Sequence, residues 1–275
     1  MACIRLSILD EQYKKPELKV SSDKKELTYN FFVVNERRYI LVNLIDPTGL
    51  SPEDPGDYYG TNGKWFGSDG KNDNKAHTAT GRNSDGTFSN ASELPISNSE
   101  LLDRATWVHG ECGGSDEFIT NRTQNVGDAS TTSDARVADY YANAINNAAK
   151  SDGGFYKAAA GRMSKDVGGK PQSTYAGYFE GGGIGGNNNS KNFANARKEG
   201  MEKLMDLKGA QTSISAVISS VNGGKDPTGG ARAWRGGDYA KPYVGNTNAR
   251  RSDAGFQFSF SSGNGRFNHT FFKRK

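Results

Sequence analysis

The stretch that decides the fold is Leu101-Leu-Asp-Arg-Ala-Thr-Trp-Val-His-Gly-Glu111-Cys-Gly-Gly114. Leu101, Ala105, Val108 and Cys112 recur three and four residues apart, which places them on one face of an α-helix and marks that face as buried. Ser97 followed by Glu100 has the spacing of a capping box and sets the start of the helix. The Gly113-Gly114 pair ends it. Arg104, Trp107 and Glu111 share an adjacent face. Glu111 thereby stands at the C-terminal end of its own helix, where the partial negative charge of the unpaired carbonyls disfavours a carboxylate. Such a position is expected to favour the protonated form, as a general acid working near neutral pH requires. A solvated glutamate at a frayed helix end is the plainer alternative.

Composition narrows what surrounds this helix. The chain has 275 residues, of which 34% are hydrophobic and 35 are glycine. Residues 51–95 hold almost no Val, Ile or Leu, whereas 97–150 and 191–275 show apolar periodicity. A core of ordinary size is therefore expected from roughly the last two-thirds of the chain. The net charge of +4 and pI near 8.9 suit an anionic polymer, nucleic acid or bacterial wall, without choosing between them. Lys273-Arg-Lys275 reads as a solvated tail. No apolar run approaches the ~18 residues of a membrane span, so no membrane partner is expected. The opening Met1-Ala-Cys-Ile-Arg-Leu-Ser-Ile-Leu-Asp10 is too short in apolar residues for a secretory signal. Cys3 and Cys112 are the only cysteines, too few for a disulfide framework or a multi-cysteine zinc site. A single Cys3–Cys112 bridge remains open.

Upstream, Leu27–Val34 and Arg38–Ile45 are β-rich and predict a hairpin across residues 35–37. Asn62-Gly63 suits the tight turn of a second hairpin, and residues 80–97 read as a polar linker. Downstream, Thr132 or Ser133 is expected to cap a second helix reaching about Lys150, with Val137, Tyr141, Ala144, Ile145 and Ala148 inward. Residues 151–190 read as irregular, ending in a glycine- and asparagine-rich loop. Ser190 caps a third helix carrying Phe193, Met201, Leu204 and Met205, and a fourth carries Ile214, Val217, Ile218 and Val221 before Gly223-Gly224. Finally Phe256, Phe258 and Phe260 alternate, a turn follows at 261–265, and Phe267, His269 and Phe271 alternate again, the pattern of an antiparallel hairpin. The expected architecture is α+β: a short β-rich N-terminal segment over residues 1–96, then a mainly helical domain over 97–275 closed by a C-terminal β-hairpin.

Three pieces in register resemble the SleB-like cell wall hydrolase family over about residues 98–272. The first is the helix with Leu101-Leu102, Arg104 and Gly110-Glu111, similar to the family helix that ends in its catalytic acid. The second is Val217-Ile-Ser-Ser-Val-Asn-Gly-Gly-Lys-Asp226-Pro-Thr-Gly-Gly-Ala231, similar to the family's helix, glycine and Asp-Pro-Thr-Gly-Gly-Ala turn. The third is Gly265-Arg-Phe-Asn-His269-Thr-Phe-Phe272, similar to its final strand. The resemblance implies a lysozyme-like catalytic domain. Where the family closes its second helix with Asn-Arg, this chain has Ala144-Ile-Asn-Asn147. It also has Arg232-Ala-Trp-Arg-Gly-Gly237 in place of aromatics and Asn-Pro. Further upstream, Asn43-Leu-Ile-Asp-Pro-Thr-Gly-Leu50 resembles the end of an Rhs repeat core, and residues 57–71 resemble the linker that follows such cores. That context implies an antibacterial toxin with a cognate immunity protein, made in the cytoplasm without a signal peptide and exported by a specialised system to act at the bacterial cell wall.

The resemblance makes Glu111 the general acid/base of a peptidoglycan-cleaving glycosidase, a muramidase or lytic transglycosylase acting on glycan strands. Cleaving a glycosidic bond needs a proton donor and, in most enzymes, a second carboxylate. Asp116, Glu117 and Asp226 are the candidates for the second, none at a diagnostic spacing. Trp107, His109, Trp234, Tyr239, Tyr243 and His269 are expected to line the substrate cleft, and Arg232 and Arg235 to meet muropeptide carboxylates. Neither a metal nor a cofactor is expected. Two rival readings stay open: a metal-dependent nuclease toxin built on His109, Glu111 and His269, and a non-catalytic wall-binding module in which Glu111 pairs with Arg104.

Overall fold

The computed structural model describes residues 56–71, 73–123, 131–163 and 188–236, together with short strands elsewhere in the chain. The chain divides into two compact units, Met1–Glu53 and Asp54–Lys275. The expected boundary at 96/97 thus moves upstream. Tyr59, Ala76 and Leu94 are buried in one apolar core with Leu101 and Val108, because strands this short cannot bury their apolar side chains without a helix against them.

The first unit holds β1 (Cys3–Leu6), β2 (Glu17–Val20), β3 (Leu27–Asn30) and β4 (Val42–Ile45). Strand β2 pairs with β3, and β1 with β4, both antiparallel. Among the described residues this pairing replaces the hairpin expected across 35–37. Four-residue strands carry too little alternation to select a partner.

The second unit opens with β5 (Asp57–Tyr59) and β6 (Trp65–Ser68), the hairpin that Asn62-Gly63 predicts. Gly63 has φ 81° and lies directly on the chain near Gln211, where a Cβ would stand 1.9 Å from a carbonyl oxygen. Strand β7 (Lys75–Thr78) pairs parallel to β5. The stretch read as a polar linker instead forms the small hairpin β8 (Gly81–Arg82) and β9 (Phe88–Ser89), then β10 (Ser92–Ser97). Strand β10 completes a sheet of order β10-β7-β5-β6. Its one buried side chain, Leu94, was too little to stand out from a polar composition.

Among the described residues there are six helices: α1 (Asn98–Cys112), α2 (Val137–Asp152), α3 (Phe155–Met163), α4 (Asn188–Glu199), α5 (Met201–Asp206) and α6 (Ala210–Val221). The first begins where Ser97 accepts the Glu100 amide at 3.1 Å and ends at Gly113, φ 62°. It packs against α2, α4 and α6, so it is buried nearly all round rather than along one stripe. Helix α2 starts at Val137, later than expected, because the Ser133 hydroxyl takes the Tyr140 hydroxyl at 3.0 Å and the Ala135 amide at 3.2 Å. Helix α3 lies in the region read as irregular, held by the buried Phe155, Ala158 and Ala159. The expected third helix breaks into α4 and α5 at Gly200, φ 124°.

The C-terminal hairpin forms as expected, β15 (Gly255–Ser262) with β16 (Gly265–Phe272). Two strands the pattern did not announce, β11 (Asn121–Thr123) and β14 (Ala233–Gly236), extend it into an antiparallel sheet of order β11-β15-β16-β14. Between α3 and α4, β12 (Asp166–Val167) and β13 (Lys170–Pro171) make a minimal pair. The fold is α+β.

Candidate active site around Glu111

Glu111 is the penultimate residue of α1 and is half-buried. Its two carboxylate oxygens each accept an indole N–H. Trp107, one helical turn earlier, donates to Oε1 at 3.2 Å. Trp234, on β14, donates to Oε2 at 3.0 Å. The two indole rings lie 5.6 Å apart at 59°. Arg104, which shares the helix face, does not enter this arrangement in the way a structural ion pair would. Its guanidinium takes the Glu100 carboxylate at 2.6 Å, donates to Asn146 Oδ1 at 2.9 Å and stacks over Phe155 at 5.2 Å. Asn146 passes the connection on to the Ser220 carbonyl at 2.6 Å, tying α1 and α2 to the end of α6.

An aromatic wall stands behind Trp234. The Tyr141 ring meets it edge-on at 5.4 Å, and Phe271 lies 6.2 Å away. The Tyr141 hydroxyl is hydrogen-bonded to Nδ1 of His269. Burial drives the His269 imidazole down to about 3, so it is neutral at physiological pH. Helical spacing places Tyr141 in the core stripe of α2, and nothing in its position one residue after Tyr140 signals this polar contact. His269 belongs to this wall as a buried, hydrogen-bonded side chain at 8% exposure.

The placement of Trp234 depends on the turn just before it. Asp226 Oδ1 accepts the Thr228 amide at 2.8 Å and the Thr228 hydroxyl at 2.6 Å. Its Oδ2 accepts the Gly230 amide at 2.8 Å and Asn147 Nδ2 at 2.9 Å. The same Asn147 amide reaches the Ala231 carbonyl at 3.1 Å, which pins the turn to α2. Burial opposes the Asp226 charge, but hydrogen bonds from Thr228 and Asn147 and from the Thr228 and Gly230 amides outweigh it. They hold this carboxyl below its usual range. Asp226 is thus bound into its own turn and to α2. Asp116 is exposed in the loop after α1, and the Glu117 carbonyl there accepts the Val137 amide at 2.9 Å. Asp103 is engaged by Arg197 at 2.7 Å and by the Tyr156 hydroxyl at 3.1 Å.

His109 does not join the site. It is 3% exposed, packed 5.3 Å from Phe193, with Nδ1 3.4 Å from the Ser213 hydroxyl. Burial takes its imidazole down to about 4, against a hydrogen bond to the Gly209 backbone that works the other way. Two residues separate His109 from Glu111, which on a helix turns them to different faces. The convergence of His109, Glu111 and His269 that a metal-dependent nuclease would need is not formed: among the described residues no group of three His, Cys, Asp or Glu side chains is placed to hold a metal. Cys112 is a free thiol donating to the Val108 carbonyl at 3.1 Å, and burial pushes it up to about 12. Arg232 donates to the Ser151 hydroxyl. Tyr239, Tyr243 and the Arg235 side chain lie outside the described residues. Among the described residues, no helix is long and apolar enough to cross a membrane.

The end of α1 is fixed as well. Gly114 follows α1 with φ 64°, and a Cβ there would stand 2.1 Å from the Gly209 carbonyl oxygen, so the end of α1 and the start of α6 meet backbone to backbone.

No family model matches the chain, and neither a curated protein nor a solved structure matches it.

Proposed function

We propose that this chain is a peptidoglycan-cleaving glycosidase with a lysozyme-like catalytic domain, and that Glu111 is its general acid/base. The observation that carries the reading is the Glu111 carboxylate itself. It sits half-buried at a helix end and is held by two neutral donors, Trp107 and Trp234, from opposite ends of the domain sequence. A carboxylate serving only the fold would be expected to resemble Asp226, consumed by its own turn.

In this reading Glu111 gives its proton to the glycosidic oxygen as the bond from that oxygen to the anomeric carbon breaks. The resulting carboxylate then takes a proton from the nucleophile. If that nucleophile is the 6-hydroxyl of the same sugar, the product is a 1,6-anhydro sugar and one carboxylate suffices. If it is water, the product is a reducing sugar. Of the three candidates for a second carboxylate, Asp226 is taken up by its own turn, and Asp116 and Glu117 lie in the loop after α1, so the products decide between the two routes. The Rhs-like segment upstream extends the proposal to an antibacterial toxin held in check by an immunity protein.

The test is direct. Purified protein solubilises peptidoglycan, and Glu111→Gln removes this while circular dichroism and the unfolding midpoint stay near wild type. A fully lytic Glu111→Gln variant overturns the assignment. Anhydro or reducing ends on the released fragments then separate the two routes.

A further inference from the structure

Sequence reading gives Trp107 and Trp234 to the sugar, but their surroundings point to another task. Trp107 is 3% exposed, and its ring is tilted against Phe155 at 6.1 Å and Trp234 at 5.6 Å. The Trp234 ring has Trp107, Tyr141 and Phe271 around it. Both indoles spend ring surface on other aromatic side chains of the protein, the packing that orients an aromatic ring firmly. The polar atom of each is used on the acid: one N–H reaches Oε1 of Glu111 and the other reaches Oε2. A glutamate side chain free to rotate would sample several rotamers and lose reach on most of them. Two donors on different oxygens, one from α1 itself and one from β14, leave it a single orientation. Both of these donors are neutral indole N–H groups, and each takes a different oxygen of the carboxylate.

We propose that Trp107 and Trp234 are positioning residues for Glu111, and that Trp234 ties the acid to the C-terminal sheet through the Tyr141–Phe271 wall. This rests on Glu111 being the acid of a glycosidase. A group held in reacting geometry before substrate arrives lowers the barrier of the chemical step without adding substrate affinity. The effect of losing a donor therefore falls on kcat. A sugar-stacking role would instead fall on KM.

The experiment replaces each tryptophan in the full chain in two ways. Trp107→Phe and Trp234→Phe remove the N–H and part of the ring. Genetic incorporation of β-(3-benzothienyl)alanine at either position keeps the bicyclic shape and substitutes sulfur for the N–H, which covers the case in which the phenylalanine variants fold poorly. Kinetics are measured on soluble, uncrosslinked glycan strands. Each lost donor is expected to lower kcat about tenfold to a hundredfold, the range of a hydrogen bond to a charged group, with KM within about twofold of wild type. Benzothienyl variants with wild-type kcat overturn the positioning role, and so does a raised KM at unchanged kcat. If Glu111→Gln is itself inactive in those cases, only the positioning role fails. If Glu111→Gln is active, the glycosidase reading fails with it.

Discussion

Asp226 and Glu111 are both half-buried carboxylates placed just beyond or at the end of a helix, and they are used in opposite ways. Asp226 accepts from the Thr228 amide and hydroxyl, the Gly230 amide and Asn147, groups that belong to its own turn or to α2. Its hydrogen-bonding capacity goes into making a turn. Glu111 takes two side-chain donors whose own rings are locked by other aromatics. Burial is similar for the two, so burial does not set the proposed acid apart. The origin of the donors does: those of Asp226 come from its own turn and from Asn147, whereas those of Glu111 are two indoles packed among other aromatic rings.

The comparison breaks most decisively at Glu111. Glu111→Gln is expected to lower the rate of wall solubilisation by about 10²- to 10⁴-fold, the usual contribution of general acid–base catalysis, while stability changes by about one hydrogen bond or less. The mirror-image result is expected at Asp226. Asp226→Asn keeps the volume but loses part of the acceptor set, and costs about 2–3 kcal/mol of stability, measured by urea unfolding. If Asp226→Asn is as stable as wild type, or if it is lytically dead while fully folded, the division of labour between the two carboxylates is wrong.

Acid titration sharpens the same contrast. The folded Asp226 carboxyl titrates below its ordinary 3.8, so the turn's stabilisation is complete above that value and is lost as pH falls through the lower folded value. The buried histidines act earlier. His109 at about 4 and His269 at about 3 both lie below the ordinary 6.5, so on acidification protons bind the unfolded chain first. Their stabilisation is full above pH 6.5 and declines as pH falls toward those values. His109→Gln is expected to make the loss of stability between about pH 6.5 and pH 4 shallower by up to about 3 kcal/mol, read from unfolding midpoints across that range. An unchanged slope would remove His109 from the account. The smallest expected effect is at Asn147. Asn147→Ala removes the tie from α2 to Asp226 and Ala231, costing about 1–2 kcal/mol while leaving Glu111 chemistry within a fewfold of wild type.

What sequence made legible follows the range over which each signal acts. The limits of α1 were readable because Ser97 and Gly113 are local start and stop signals. The Asn62-Gly63 hairpin and the alternation of Phe256–Phe260 with Phe267–Phe271 are local in the same sense. Strands β11 and β14 were not, since each is three or four residues long and exists only because β15 or β16 offers it an edge. The break at Gly200 was hidden because Met201, Leu204 and Met205 continue the helical spacing past it. At the site, Glu111 could be singled out from its place on a helix. Trp107, four residues earlier on the same face, could be placed beside it; the Trp234 contact could not, because it spans 123 positions, nor could the Tyr141–His269 contact, which spans 128. His109 faces Phe193 and Ser213 instead of the cleft, since a separation of two residues from Glu111 turns the two side chains to different sides of the helix.

The backbone contact between Gly114 and Gly209 has a consequence for anyone recombining this domain with another of the same shape. The two positions lie on opposite sides of any crossover made between α1 and α6, yet neither tolerates a side chain while the other stays where it is. They behave as a single inherited character. A chimera that brings alanine to one of them would unseat the helix end that carries Glu111, whatever the quality of its remaining sequence.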